Sequence, residues 1–436
     1  MRINFRTSDF SRRVANSADL ILRNRYFEQN PSLNETGQSL IARPGLSKLT
    51  TVGSGPIRCI ASQPGSFNGD LFVASGDSLY RESNTQTQTF IGGGLFSPTT
   101  GPVSIAITAQ ICDGPSATPA FAYIADGRNL WVYVENGYSK TLLSGTPVAN
   151  DVVQMGGIYY KFTAGSVNTG SPAGTSANPW LVALGSTAEI AFQNLVNATY
   201  INGVAGTDYS TAVTPNPYVK GVDFTSNSAS FWALIPGNSQ NFISTTTTSV
   251  GMSFTGTTLQ GGGLPSFTTV KVPDDKGAID VAVISSFVIV IPVQTDGYQG
   301  RFYWIQPGAT TIDPLDFATA EYAPDGLYGV QICGDQFWLP GASSTEVWYV
   351  STTGANIISS SSSTSFTQAT MVRLQGIMFN RGAWENTAVD IHEKLIITDA
   401  DGGVFLISGG SPTRVSTPDI EEEIRTAMAR QTLYLY

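Results

Sequence analysis

Outside one central segment, the chain repeats a single pattern of hydrophobic and polar positions. An apolar or alternating run is followed by a turn containing Gly, often with Asp, and then by a second run that carries an aromatic residue. Alternating runs bounded by such turns predict antiparallel β-hairpins. Five copies are present, at residues 71–80, 121–133, 288–304, 337–349 and 395–407.

The spacing of the copies indicates how they are arranged. Their turn glycines are separated by 51, 170, 44 and 61 residues, and these glycines are Gly76, Gly127, Gly297, Gly341 and Gly402. If residues 151–263 are an insertion, the separation of 170 residues falls to 57. Separations of about 45–60 residues are typical of one four-stranded propeller blade with its loops.

The sequence therefore predicts a mainly β fold: a β-propeller of about six blades with an inserted small α+β domain. Residues 1–150 are assigned to an N-terminal arm and the first blades, 151–263 to the insertion, and 264–436 to the remaining blades. The sixth blade is expected to be degenerate or closed by the termini. Ordinary hairpins of a β-sandwich array are the alternative interpretation.

Two helices are predicted. In the insertion, four apolar residues share one face of a helix over 187–200, which Thr187 can cap. Near the C-terminus, Pro418 and the acidic residues after it favour a helix over 418–430 with Thr417 as its cap. The predicted strands of these regions are a pair within 156–162, single strands at 219–224, 230–234 and 251–255, and a terminal strand at 432–436.

The composition narrows the class of protein. Charged residues make up 13% of the chain, about half the usual share, so uncharged polar residues must form much of the surface. The net charge is −10 and no basic patch is present, which argues against a sequence-specific nucleic-acid binder. Residues 1–43 differ, with seven Arg against four acidic residues. This arm is either a solvated segment or one that docks on an acidic partner.

No constellation of residues predicts catalysis or metal binding. The single histidine, His392, has neither a second histidine for a zinc pair nor a Gly-x-Ser-x-Gly elbow, so a structural role is predicted. Asp274 with Asp275, and Asp399 with Asp401, are interpreted as turns rather than as a glycosidase pair or a calcium loop. We therefore expect no enzyme, no cofactor and no metal.

Cysteine usage and hydropathy bear on two further classes. Cys59, Cys112 and Cys333 are odd in number and widely spaced, which predicts core positions rather than a disulfide framework. The N-terminus has no apolar secretory region, and the longest apolar run, around 281–293, is too short to span a membrane. A protein made in a cytoplasm, without a membrane anchor, is expected.

Four motifs of the insertion resemble a domain that recurs in tailed-bacteriophage virion proteins. They are Asn194–Ala198 with Ile201–Gly203, Gly206–Thr211 with Asn216–Val219, Gly237–Ser249, and Thr258–Gly262. The resemblance implies an outward-facing virion module and assigns no chemistry to it.

The flanking sequence is similar to the packaged-DNA stabilisation proteins of short-tailed phages, also called tail accessory factors or tail nozzle proteins. The motifs are Asn24–Glu28, Arg43–Leu46, Trp304–Ile305, Asp316–Ala318, Ala323–Gly329, Phe337–Ser344, Glu346–Trp348 and Thr353–Gly354. Structural roles are assigned to eight positions in them: Arg43, Pro44, Gly45, Pro324, Asp325, Gly326, Glu346 and Trp348.

The second resemblance implies a virion tail protein whose β-propellers assemble as a homo-oligomeric ring, expected to be a hexamer, below the portal. The implied role is to extend the DNA channel, retain the packaged genome and support its ejection. Implied partners are further copies of the chain, portal or adaptor ring proteins, a tail needle or plug, tail fibres or tailspikes, and DNA that passes without sequence-specific binding. The acidic net charge adds the hypothesis of a channel wall that repels phosphate.

The sequence also allows two other functions. A receptor-binding or decoration protein would hold host glycan on exposed aromatic residues such as Trp180, Trp232 and Tyr218, although these residues are otherwise expected in the core. A glycan-cleaving enzyme is the third candidate, and it would need one of the aspartate pairs as acid and base.

Overall fold

The computed structural model describes residues 25–29, 38–42, 50–95, 101–110, 118–295, 297, 299–323, 325–351, 356–357, 366–367, 370–384, 387–391, 394–408 and 411–434. The predicted site residues Arg43, Pro44, Gly45 and Pro324 lie outside this part, as do Cys112 and His392. The described residues are mainly β. They belong to two compact units: one is Gly53–Gln294 with Arg301–Thr319, and the other includes Thr295–Gly300 and Ala320–Tyr436.

The first strands along the chain form a hairpin and two sheets. β1 (Arg25–Gln29) pairs antiparallel with β2 (Gln38–Ala42). Sheet A is an antiparallel meander of β3 (Ile57–Ala61), β4 (Leu71–Ser75), β5 (Ser78–Glu82) and β6 (Gln88–Gly93). Sheet B begins with β7 (Ser104–Ile107), β8 (Phe121–Ala125) and β9 (Leu130–Glu135), and its fourth strand comes from much later in the chain.

Between β9 and that fourth strand, the chain forms two further sheets and a helix. Their elements are β10 (Tyr138–Gly145), β11 (Val152–Met155), β12 (Ile158–Thr163), β13 (Trp180–Ala183), helix α1 (Ala188–Tyr200), β14 (Val219–Phe224), β15 (Ser228–Pro236), β16 (Thr245–Thr247) and β17 (Met252–Phe254). Sheet M1 has the strand order β14-β15-β10-β17, and sheet M2 has the order β13-β12-β11-β16. β18 (Pro265–Val270) then completes sheet B beside β9.

The rest of the chain forms three more meanders and a helix. Sheet C contains β19 (Ala278–Ile284), β20 (Phe287–Pro292), β21 (Arg301–Ile305) and β22 (Phe317–Thr319). Sheet D contains β23 (Gln331–Cys333), β24 (Gln336–Pro340), β25 (Thr345–Ser351) and, after a hairpin of β26 (Asn356–Ile357) and β27 (Phe366–Thr367), β28 (Thr370–Phe379). Sheet E contains β29 (Val389–Asp390), β30 (Leu395–Thr398), β31 (Val404–Ser408) and β32 (Ser411–Arg414), and helix α2 (Pro418–Tyr434) follows.

The five predicted hairpins are confirmed, and each is the central strand pair of one sheet. β4–β5, β8–β9, β20–β21, β24–β25 and β30–β31 all pair antiparallel. In their turns, Gly76, Gly127 and Gly402 have positive φ angles of 59°, 88° and 79°, a conformation that glycine adopts without steric cost. The recurring unit is thus a four-stranded meander whose second and third strands carry the hydrophobic pattern.

Burial explains why those central strands are so apolar. Every residue of β8 and β20 is buried, whereas the outer strand β6 is mostly exposed. A strand that is covered on both faces needs apolar side chains in both directions, so it reads as a continuous hydrophobic run. The sheets must therefore pack face to face.

The core clusters show which sheets pack together. One cluster joins sheets A and B through residues such as Phe72 and Ile124, and another joins sheets B and C through Tyr123 and Val290. In the other unit, sheets D and E share a core that includes Val347. Face-to-face packing of successive four-stranded meanders is the packing of propeller blades.

Residues 136–264 have a hydrophobic core of their own. Phe231 of sheet M1, Tyr160 of sheet M2 and Leu195 of α1 belong to one cluster, in which every buried residue comes from this segment. Desolvation inside the cluster raises the pKa of Tyr160 to about 12. The segment leaves sheet B after Glu135 and returns at Pro265, which lies directly opposite Glu135 in the strand register.

Helix α1 confirms its prediction. The Thr187 hydroxyl caps it by accepting a hydrogen bond from the Ile190 N–H at 3.3 Å. The helix packs on β14 at Gly221, where a Cβ atom would lie only 2.8 Å from the Cα of Val196. Glycine at this position therefore permits the close contact between helix and sheet.

The predicted strands of the segment have mixed outcomes. β14 has the predicted bounds, and β15 and β17 overlap the predicted strands at 230–234 and 251–255. The strand pair within 156–162 was wrong, because Gly156 and Gly157 have φ angles of 63° and 84° and form the turn between β11 and β12. The insertion boundary at residue 151 stays a prediction, although β10 begins before it and pairs within sheet M1.

Helix α2 is longer than predicted. It runs Pro418–Tyr434, so the terminal strand predicted at 432–436 was wrong over its described residues. An established helix extends by one hydrogen bond for each residue fixed, which here outweighs the alternation of a short terminal run. Thr417 occupies the predicted cap position, because its carbonyl accepts from the Glu421 N–H at 3.0 Å, but its buried hydroxyl has no hydrogen-bond partner in the described chain and makes no side-chain cap.

The first turn of α2 is instead attached to sheet E through a buried carboxylate. Glu421 Oε1 accepts hydrogen bonds from Arg414 Nε and from the Ser416 hydroxyl, both at 2.6 Å. The Arg414 guanidinium lowers the pKa of Glu421, and the Ser416 hydrogen bond acts in the same direction.

Asn241 joins the two chain crossings between sheet B and sheet M1. Its amide nitrogen donates to the Gly262 carbonyl at 3.0 Å, and its carbonyl accepts from the Gly262 N–H at 3.0 Å and from the Ser139 hydroxyl at 2.9 Å. The crossings at 136–139 and 261–264 are therefore fixed side by side.

We expect Asn241→Ala to lower the free energy of unfolding by about 1–3 kcal/mol, because three hydrogen bonds at one junction are lost and their partners are left partly buried. Urea unfolding of the full chain measures this change. Asn238→Ala is the matched control in the same turn, since the Asn238 side chain forms no hydrogen bond in the described chain. Equal stabilities of the two variants would contradict the role of Asn241.

We expect Glu421→Gln to lower the melting temperature at neutral pH and to lose that effect in acid. A carboxyl whose folded pKa is lowered stabilises the fold above its ordinary pKa of 4.5, and this contribution disappears as the pH falls through the folded value. Thermal unfolding from pH 7 to pH 3 tests the convergence of variant and wild type. Glu423→Gln, on the exposed side of α2, is the control and should follow wild type at every pH.

Candidate functional site

The predicted site residues that the structure describes lie in and beside sheet D. Asp325 and Gly326 precede β23, and Glu346 and Trp348 lie on β25. The fold brings them into two polar clusters near the start of β25. One orders a turn, and the other fixes the strand itself.

Asp325 holds the turn between β24 and β25. Its Oδ2 accepts from the Ser343 N–H at 2.6 Å, from the Ser343 hydroxyl at 2.9 Å and from the Ser344 N–H at 3.1 Å, while Oδ1 accepts from the Ser344 hydroxyl at 3.3 Å. The neighbouring Gly326 carbonyl accepts from the Ala342 N–H at 3.2 Å. The loop before β23 is thereby attached to the turn.

Glu346 is a buried carboxylate, with 2% of its surface exposed. Its Oε1 accepts from the Tyr322 N–H at 2.7 Å, and its Oε2 accepts from the indole Nε1 of Trp348 at 2.9 Å. Arg373 of β28 brings its guanidinium to 3.8 Å from Oε1. Burying a carboxylate is costly unless it is paired and hydrogen-bonded, and Glu346 meets both conditions.

The chemistry of these two clusters is structural. Each carboxylate oxygen accepts a hydrogen bond from a backbone, hydroxyl or indole donor, and these bonds connect loops and strands of sheet D. The arrangement orders the sheet and offers no reactive group to a substrate.

A separate groove of about 520 Å³ opens on sheet M1. Along β10, Thr141 and Leu143 are buried toward the core of the segment, while Lys140 and Leu142 are exposed on the opposite face. That exposed face carries the groove, which Lys140, Leu142, Asp223, Ser230, Trp232 and Gln260 line.

The strand register arranges the groove in two rows. Trp232 of β15 lies opposite Lys140 of β10, and Ser230 lies opposite both Leu142 of β10 and Asp223 of β14. The Lys140 ammonium nitrogen is 5.1 Å from the centroid of the Trp232 ring, within cation–π range. The groove thus combines apolar surface with one cation and one anion.

The three aromatic residues considered for glycan binding have different environments. Trp180 is buried in β13, as expected of a core residue. Tyr218 is exposed but does not line the groove. Trp232 is half-buried within it. The sequence did not predict Lys140 or Gln260 as neighbours of Trp232, and the available signal was the alternation along 138–145, which places positions 140 and 142 on one strand face.

The acidic pairs lie in turns, as predicted. Asp399 Oδ1 accepts from the N–H groups of Asp401 and Gly403, at 3.0 and 2.8 Å, and Arg381 pairs with its Oδ2 at 3.0 Å. Asp274 and Asp275 are exposed in a 3-10 turn.

The described residues contain no group of three or more His, Cys, Asp or Glu side chains placed to hold a metal ion. Cys59 and Cys333 are free thiols, and burial raises the pKa of Cys333 to about 12. No helix in the described part of the chain has the length and apolar character needed to cross a membrane.

The sequence profile of the phage stabilisation family, described as bacteriophage P22 Gp10, beta-propeller, matches residues 192–434. That is more than half of the chain. The chain belongs to this family. It is therefore a phage structural protein of the virion. The match begins within α1 and includes sheets C, D and E, so that Asp325, Gly326, Glu346 and Trp348 all lie inside it.

The extracellular domain of the putative one component system BT4673 from B. thetaiotaomicron is 11% identical, with a TM-score of 0.18 over 83% of this chain, and the chain covers 38% of that structure's length. A likeness at this level carries no argument about fold or function. No curated protein matches the chain.

We expect Glu346→Gln to destabilise the protein by about 1–3 kcal/mol, because a carboxamide presents an N–H group where the buried carboxylate accepts from the Tyr322 N–H or the Trp348 indole. Chemical unfolding measures the change. Glu422→Gln is the control, since Glu422 is exposed and pairs with Arg425 on the surface of α2. A Glu346→Gln protein as stable as Glu422→Gln would contradict this role.

Proposed function

We propose that the chain is a tail component of a short-tailed phage: a ring-forming nozzle or hub below the portal that extends the DNA channel, retains the packaged genome and supports its ejection. The observation that supports this most directly is the family match over residues 192–434. The proposal is of a structural role and includes no catalytic step.

We also infer that sheets A–E are five blades of the family's β-propeller, which closes with about six. Each sheet is a four-stranded meander, and neighbouring sheets within each compact unit pack face to face. Closure leaves few exposed sheet edges, which favours a ring over an open array of such sheets.

Residues 136–264 are proposed to form the inserted module. β9 and β18 are adjacent strands of sheet B although this segment separates them in sequence, and the segment has its own core. These bounds are wider than 151–263 because β10 belongs to sheet M1. The β26–β27 hairpin occupies the same connection in sheet D, between its third and fourth strands, so this connection accommodates additional chain.

Electrostatics supports the channel role. The chain carries a net charge of −10, and an acidic wall repels phosphate, so that DNA would slide along it rather than adhere. The proposed partners are further copies in a hexameric ring, the portal or adaptor ring, a tail needle or plug, and tail fibres or tailspikes.

Cryo-electron microscopy of intact particles is expected to place copies of the chain as a ring on the tail axis below the portal. Copies at the tail periphery or on the capsid surface would contradict the proposal and favour a receptor-binding or decoration protein. A chain in which a short linker joins Glu135 to Pro265 is the matched variant: if residues 136–264 are an inserted module, this shortened chain is expected to assemble into the same ring.

A further inference from the structure

We propose that the groove on sheet M1 binds a neutral pyranose residue of a surface glycan, which packs on Trp232 and Leu142 and hydrogen-bonds to Asp223, Ser230 and Gln260. This goes beyond the tail function and does not depend on it.

The apolar part of the groove comes from two side chains. Trp232 is half-buried and Leu142 is 38% exposed, and both lie on the face of sheet M1 that points away from the segment's core. A pyranose ring presents C–H groups on one face, and an aromatic side chain beside an aliphatic one offers matching surface. Trp232 and Leu142 do not belong to the core of the segment, which Phe231 and Leu143 fill from the same two strands.

The polar groups of the groove have hydrogen-bonding capacity left for a ligand. One oxygen of Asp223 accepts from the Phe224 N–H at 2.8 Å, while the other accepts no hydrogen bond in the described chain. The side chains of Ser230 and Gln260 likewise form no hydrogen bond to described residues. An acceptor carboxylate, a hydroxyl and a carboxamide can together satisfy sugar hydroxyl groups as donors and acceptors.

Charge and size favour a neutral sugar over other ligands. Lys140 and Asp223 give the lining one positive and one negative charge, whereas a phosphate or nucleic-acid strand needs a net positive site. The groove volume of about 520 Å³ lies within the range of roughly 300–1,000 Å³ typical of small-ligand sites.

Saturation-transfer NMR and calorimetry on the full chain test the proposal with defined probes: glucose, galactose, mannose, N-acetylglucosamine and rhamnose, with glucuronate and inorganic phosphate as charged comparators. At least one neutral sugar is expected to bind, and Trp232→Ala or Asp223→Asn should weaken its binding by roughly tenfold or more. Tyr218→Ala is the matched control, since Tyr218 is an exposed aromatic outside the groove, and it should bind as wild type does.

Four results would overturn the proposal. In solution, these are that no neutral sugar binds, that glucuronate or phosphate binds in preference, or that binding is unchanged in the groove variants. In intact particles, it is a neighbouring virion protein seated on the groove. If Trp232→Ala fails to fold, sugar binding by Asp223→Asn and Gln260→Ala tests the proposal instead. Both substitutions change exposed polar groups of the groove and leave the buried core unchanged. The ring location tested above has no bearing on these outcomes, so the two proposals can fail separately.

Discussion

The structure depends on burying both faces of its central strands. In each meander of sheets A–E, the second and third strands carry most of the apolar side chains. A neighbouring sheet of the same compact unit covers one face of these strands: sheets A, B and C pack in one unit, and sheets D and E pack in the other. A single such sheet would expose a large apolar surface. Within each compact unit the meanders therefore stabilise one another by packing face to face, as blades of the family's β-propeller do.

Charged residues make up only 13% of the chain, and several of the carboxylates have specific structural roles. Asp325 orders a turn, Glu346 fixes β25, and Glu421 attaches α2, each by accepting hydrogen bonds from named donors. In a chain with so few charged residues, these carboxylates provide specific connections that apolar packing does not. The role of these three carboxylates is structural, because each connects two parts of the chain by hydrogen bonds.

The parts of the fold that could be predicted are those with a local signal. The five central hairpins and α1 each have a hydrophobic pattern that is visible within a few residues. Thr187, a residue type favoured at helix starts, also marks the beginning of α1. β18 had no such signal, because it belongs to sheet B only through pairing with β9, more than a hundred residues away in sequence. Asn241 and Lys140 were missed for the same reason: their partners, Gly262 and Trp232, are brought near by tertiary structure. The length of α2 was missed because cooperative extension is not visible in a short terminal run.

The side-by-side crossings of residues 136–264 have a mechanical consequence. Both ends of the segment leave sheet B at the same end of two adjacent antiparallel strands, where Glu135 faces Pro265. A pulling force on the segment is therefore applied in an unzipping direction, and it loads the β9–β18 hydrogen bonds one after another instead of all at once. The hydrogen bonds of Asn241 to Gly262 and Ser139 connect the two crossings outside this strand pair. A force that a binding partner applies to the segment therefore strains the Asn241 hydrogen bonds before it strains the pairing of β9 with β18.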